Sequence, residues 1–421
     1  MCESTASIPF DIMTPGDEHF LSILYRFRQS LHAYHPIVLT LIVGHGLSRI
    51  ATSMSLPFLA LYLSNTTDMN PVMIGVVAGA GPLAGTFGGF FGGALSDRLG
   101  RRAIMFAALC LWVVVFLGFS VAHHPVLFLL LNFTNGLCRS WFEPVTQALM
   151  ADLTVPERRF RVFSMRYLAA NIGVAVGPLL GAWLGTGTGS LPFLITGLIF
   201  VLYGVVLYAL FLTFGIRKIE GTPKAKVTIA SAWGVIRQDR TLRLFLLGAI
   251  VVGIAYCQMT VTLSQFVEDS FEQGVRLFAT LMSVNAVTVV TLQIPLSRWA
   301  EKIEPIRLIY AGNVLFAAGL IGFAVSGHWF GFVVSMIVFT IGEILNYPAG
   351  TLLLDQLAPD GLRGTYYGAQ SFGNFGQFIG PLAGGYLLDS YGGTTLFVVM
   401  GMVVLCASYF YAAGRRRLQA G

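Results

Sequence analysis

The sequence predicts an all-α polytopic membrane protein with twelve transmembrane helices in two pseudo-symmetric six-helix bundles. Three observations carry this. The 421-residue chain is 55% hydrophobic and 11% charged, with a mean hydropathy of +0.74, whereas soluble domains carry roughly 25% charged residues. Apolar stretches long enough to cross a bilayer recur from Pro36 to Ala413. The third is an internal repeat: residues 151–184 align without gaps on residues 354–387.

Spans are read at about 37–64, 71–95, 103–122, 125–152, 161–185 and 191–214, then at 242–267, 275–299, 307–326, 329–356, 365–388 and 394–413. Residues 1–36 lack the basic start and continuous apolar core of a signal peptide, and read as a cytoplasmic tail. Residues 37–214 form the first bundle, 215–241 a central cytoplasmic loop, 242–413 the second bundle and 414–421 a basic tail. The repeat supports this division. Asp152, Pro156, Asn171, Gly173, Gly177, Pro178 and Gly181 recur as Asp355, Pro359, Asn374, Gly376, Gly380, Pro381 and Gly384. Duplicated halves with a site between them are a common plan of secondary transporters.

The net charge of +6 is a topology signal. Arg98, Arg101 and Arg102 join spans 2 and 3, and Arg158, Arg159 and Arg161 join spans 4 and 5. Arg298, Lys302 and Arg307 join spans 8 and 9, Arg363 joins 10 and 11, and Arg415 to Arg417 end the chain. Alternate loops hold almost none, Arg276 excepted. The positive-inside rule then puts both termini in the cytoplasm of a multi-pass plasma-membrane protein, and no nucleic-acid partner is expected. The five cysteines form no CxxC pair, so neither a disulfide framework nor a metal site is indicated. No GxxxxGK[ST] motif occurs, which argues against nucleotide-driven transport, and no nucleophile–base pair suggests an enzyme. The expected partners are the bilayer, a small-molecule substrate and protons, with the chain as a monomer and no cofactor.

Two motifs carry chemistry at the loops and helix contacts. "GGALSDRLGRR" (92–102) has paired glycines for close helix approach. It then places Asp97 beside Arg98, Arg101 and Arg102, where charge-assisted bonds can latch a neighbouring helix end. "NIGVAVGPLLGAWLG" (171–185) repeats glycine every four residues at Gly173, Gly177, Gly181 and Gly185, with Pro178 favouring a bend. The first motif resembles the loop 2–3 signature of the major facilitator superfamily, with a degenerate copy, "PLSRWAEKIEP", in loop 8–9. The second resembles the antiporter signature of its twelve-helix drug:proton exporters, and "MSLPFLALYLS" (54–64) more weakly resembles a span 1 segment of that branch. The resemblance covers nearly the whole chain. It implies gating roles for Asp97, Arg98, Arg101, Arg102, Gly173, Gly177, Pro178 and Gly181, and for Gly380 and Pro381 in the repeat. One departure stands out. Exporters often open span 4 with Arg-x-x-Gln-Gly, whereas this chain has "NFTNGLCRSWFEP", with its arginine displaced to Arg139.

Few ionisable residues lie at membrane depth, and each is a functional candidate because burial there is costly. Arg49 sits in span 1, one turn from His45. Arg139 and Glu143 are four apart in span 4, so they can pair. The superfamily fold sets span 1 beside span 4, which puts Arg49 near Glu143, with Glu343 of the other half as a second possible counter-charge. Glu343 lies near the middle of span 10 and, desolvated there, is suited to bind and release a proton as access alternates. Glu143 joins it as a proton-coupling candidate. Phe142, Tyr256, Gln258, Gln293, Tyr347 and Asn374 are candidate cavity contacts beside Arg49, Arg139 and His45. Asp152 and Asp355, closing spans 4 and 10, are read as gate residues. The arginine–glutamate set also fits a purely structural ion network, and Glu343 fits an acid satisfied by its polar neighbours. The reading is a proton-coupled exporter of small amphipathic molecules. The alternatives are a proton symporter taking up a small anionic solute, with Arg49 and Arg139 as clamps, and a transporter-like receptor without flux.

Overall fold

The structure is a computed structural model that describes residues 34–56, 59–69, 71–184, 190–214, 229–359 and 361–420. The expected tail up to residue 33, Pro57, Gly185 and residues 215–228 of the central loop lie outside the described residues. Among those described there is no strand, and the helices follow the expected spans closely.

Nine helices are long and apolar enough to cross a membrane among the described residues. The last, Arg363–Arg417, is two spans joined at Gly392, whose φ of 78° turns the chain where a side chain would be strained. Two further helices, Pro71–Leu99 and Pro125–Asp152, have the length. The first is diluted by glycine and the second by Asn132, Asn135, Arg139 and Glu143, which lowers their apolar character. Twelve spans result.

Local chemistry sets several starts. Spans 1 and 4 open on Pro36 and Pro125, which lack the N–H that a first helical turn leaves unpaired. The preceding His35 and His124 each accept a backbone N–H, at 3.2 and 3.3 Å. Span 7 opens on Asp239, which accepts from the Leu242 N–H at 2.9 Å. Span 7 is longer than expected and broken: helix Arg240–Tyr256 passes through a tight turn at Cys257–Met259 into Thr262–Ser270. Span 11 likewise starts as a short helix, Arg363–Ala369, before the turn Gln370–Gly373.

Glycines set which helices touch. A Cβ at Gly173 or Gly177 would overlap span 1 at Arg49 and at Ile50 and Ser53. In the second half, Gly376, Gly380 and Gly384 bear in the same way on Ile250, Ile254 and Gln258 of span 7. Span 5 on span 1 and span 11 on span 7 are therefore the same packing unit used twice. Without a hydrophobic force between helices in lipid, such close approach supplies the contact that holds them.

Buried apolar side chains form one cluster from Tyr34 to Phe211 and another mainly from Phe245 to Tyr411. Where the halves meet, Gly89 and Gly93 of span 2 lie against Gly368 and Gly364 of span 11. A third cluster joins Phe90 and Ala94 to Ile236, Leu246, Leu354 and Tyr366. The short helix Ile229–Gln238 lies over this crossing, with Trp233 edge-on to Phe90 and Phe372.

Candidate functional site

Three groups of polar side chains are built by this packing, one at the basic-loop end and two at membrane depth, around Glu343 and around Arg49. At the basic-loop end, Asp97 accepts from the Gly364 N–H at 3.0 Å and from the Thr365 N–H and hydroxyl, each at 2.7 Å. It also pairs with Arg101. The carboxylate thus sits on the first turn of the span 11 helix, where unpaired N–H groups and the helix dipole favour negative charge. Arg159 of span 5 donates to Asp355 at 2.6 Å, while Arg363 pairs with Asp152 at 2.5 Å and Asp355 at 3.3 Å. Each half therefore presents an aspartate to an arginine of the other. Arg161 adds a pair with Glu301 in the 8–9 loop. Asp97, Arg101, Asp152 and Asp355 fall together in this seam; Arg98 is exposed outside it.

At mid-span, Glu343 is 1% exposed. One carboxylate oxygen accepts from the hydroxyls of Tyr167 and, at 2.8 Å, Tyr256; the other accepts from the Asn285 amide at 2.9 Å. The donors come from spans 5, 7 and 8, so both halves contribute. Tyr347 stacks on Tyr167 at 5.5 Å and meets Tyr256 edge-on at 5.4 Å. Among the described residues, no cation pairs with Glu343.

In the first half, Arg49 donates to Glu143 at 2.8 Å and Arg139 to the same oxygen at 3.1 Å. Ala169 of span 5 lies against Gly46, and Gly173 lies against the Arg49 side chain. Arg166 thus enters one turn below, and its field reaches His45 and Glu143. His45 is buried with its Nε2 atom unpartnered, and the Nε and one terminal nitrogen of Arg166 are unpartnered too.

Several expectations are corrected. Glu343 does not balance Arg49, because both of its oxygens are taken by neutral donors. Phe142 is not a cavity residue: it is 1% exposed in the first core, against Trp112 and Tyr203. Gln258 is a structural clamp, donating to the Gly380 carbonyl at 2.9 Å and accepting from Thr262, which explains its place at the break in span 7. Gln293 is buried with both amide atoms unpartnered, and Asn374 is exposed. Tyr256 and Tyr347 do converge, on Glu343 rather than on the arginines. Tyr167 and Asn285 were not singled out by sequence. Asn285 carries a usable signal, an amide in an apolar span, and Tyr167 does not.

Two six-helix halves that share a buried carboxylate and a seam of crossed ion pairs define a membrane protein of the secondary-transporter class. The profile of the Major Facilitator Superfamily matches residues 41–375 and 261–419. The chain belongs to that superfamily, and it is a transporter. It is 34% identical to the uncharacterised transporter YqjV of Bacillus subtilis (strain 168), over 91% of this chain and 95% of that one. It is 25% identical to a Na(+), Li(+), K(+)/H(+) antiporter of Planococcus maritimus, covering 88% and 93%. It is 26% identical to the multidrug resistance protein MdtH of Cronobacter sakazakii, covering 79% and 82%. The crystal structure of the E. coli fucose:proton symporter FucP superposes with a TM-score of 0.72 at 13% identity, covering 91% of this chain and 99% of that one, a likeness of fold.

Proposed function

We propose that this transporter is a proton-coupled antiporter that exports small amphipathic molecules across the plasma membrane by alternating access, with both termini cytoplasmic and Glu343 carrying the proton. The observation that supports it most is the Glu343 cage, in which the first half's Tyr167 and the second half's Tyr256 and Asn285 hold one carboxylate. A group held by both halves feels every change in their relation, so its proton occupancy and the state of the bundle bias each other. The antiporter-like glycine stripe of span 5 and the similarity to MdtH and to a cation/proton antiporter favour exchange. In this topology the crossed ion pairs lie at the cytoplasmic end, so the state is closed to the cytoplasm, with Asp97, Asp152 and Asp355 as gate residues.

The test is transport in proteoliposomes under an imposed pH gradient. Glu343→Gln is expected to abolish gradient-driven export while substrate exchange without a gradient persists. Full gradient-driven export by that variant sinks the assignment. The arginine excess around Glu143 also fits uptake of an anionic solute with protons, and proton-stimulated accumulation instead of extrusion is the result that selects it.

A further inference from the structure

The first-half cluster is short of negative charge. Arg49, Arg139 and Arg166 bring three guanidinium groups to one carboxylate, Glu143, with His45 beside them. Glu143 spends a single oxygen on both of its arginine contacts. Arg166 has two buried nitrogens with no acceptor, and Arg49 has one. Among the described residues, the only other carboxylate at this depth, Glu343, is enclosed by neutral donors of its own. A guanidinium near the membrane centre is strongly unfavourable when neither paired nor wetted. The side chain of Arg139 is 54% exposed at mid-span, and the cost of facing lipid assigns that exposed surface to an aqueous cavity. What the cluster lacks is an acceptor with several oxygens and negative charge, approaching from that cavity.

We propose that Arg49, Arg139 and Arg166 form the binding site for an acidic head group on the transported molecule, a carboxylate, sulfonate or phosphate carried on an apolar body. Arg139 is the entry contact and can turn to the ligand, because Glu143 keeps Arg49 when it does. Arg166 and Arg49 supply the deeper donors, with forked geometry suited to such head groups. Glu143 limits the net charge of the empty site, so that it stands without its ligand yet gains most by binding one. The stacked Tyr167 and Tyr347 rings, the first next in sequence to Arg166 and bonded to Glu343, offer an aromatic surface for the apolar body. This deepens the reading of the protein as a transporter of amphipathic molecules and rests on it, but not on the role of Glu343.

The experiment measures binding without any pH gradient, by calorimetry on the full chain in nanodiscs. The probes are 1-naphthoate, naphthalene-1-sulfonate and 1-naphthylmethylammonium, which share an apolar body and differ in charge. The two acids are expected to bind saturably and compete with each other, and the ammonium probe not to bind. Arg139→Gln and Arg166→Gln are each expected to weaken acid binding at least tenfold. Arg139→Gln leaves Glu143 paired with Arg49, so it keeps the test valid should Arg166→Gln fail to fold. Absence of binding by either acid, tighter binding of the ammonium probe, or unchanged acid affinity in Arg139→Gln overturns the site. Coupling fails separately: acid binding that tracks the arginines, together with gradient-driven transport retained in Glu343→Gln, removes the proton role and leaves the anion site standing.

Discussion

The hydroxyl of Tyr167 on span 5 donates to the carboxylate of Glu343 on span 10, tying the two halves together at membrane depth. Asn285 and Tyr256 hold the same carboxylate from within the second half, so removing Tyr167 leaves two donors in place. The tie is therefore specific to the relation between halves.

Tyr167→Phe is expected to fold normally, keep the ring that stacks on Tyr347, and loosen coupling. An interhelical hydrogen bond in a membrane contributes about 0.6 and up to about 1.7 kcal/mol. The variant should then lose roughly 3- to 20-fold of gradient-driven transport, at 1.4 kcal/mol per factor of ten. Comparing gradient-driven flux with gradient-free exchange in proteoliposomes measures this. An equal loss in both assays would mean that Tyr167 serves binding or folding, not coupling.

Closure at the basic-loop end depends on backbone approach as well as charge. A Cβ at Gly93 would overlap the carbonyl of Gly364, and neither is a flexible side-chain end that can move aside. Gly93→Val is expected to wedge spans 2 and 11 apart and hold the seam open. Spin labels at the exposed Val155 and Lys302, on opposite halves, should then report a longer distance than in the parent, with transport lost. Gly385→Ala is the control, since nothing lies within 4 Å of its added carbon. It should leave both distance and transport unchanged and add up to about 1 kcal/mol of helix stability. An unaltered label distance in Gly93→Val would show that the halves close without this crossing.

The fold was largely legible because apolar length, glycine spacing and arginine placement are local properties of the chain. The Arg49–Glu143 pair followed from span depth and the adjacency of spans 1 and 4. The Glu343 cage did not, because Tyr167 and Asn285 reach it from helices distant in sequence, and a tyrosine in an aromatic-rich chain carries no distinguishing pattern. Phe142 and Gln258 went wrong for a related reason. Each lies on a helix with other polar or functional residues, but its rotation about that helix turns it to the packed face, and hydropathy alone does not give that rotation. The reciprocal exchange of Arg159 to Asp355 and Arg363 to Asp152 was half visible: the repeat matched the aspartates, while the arginines fall one position out of register.

Glu143 bears on both stability and ligand response. It is the shared acceptor of Arg49 and Arg139, and among the described residues neither arginine has another carboxylate partner. Glu143→Gln therefore leaves three guanidinium groups facing one another without a counter-charge. The amide oxygen of Gln can still accept, but a charge-assisted bond is roughly twice as strong as a neutral one, so each of the two contacts weakens by about 1 kcal/mol. The variant is expected to melt lower than the parent in a thermal-shift assay, and Arg139→Gln in the same chain should recover part of the loss by removing one unpaired charge. An anionic ligand offers the same relief from outside the chain. Saturating 1-naphthoate should therefore raise the melting temperature of Glu143→Gln by more than it raises that of the parent. If the parent gains as much or more, Glu143 is not competing with the ligand for the arginines, and its carboxylate acts only as a brace between spans 1 and 4.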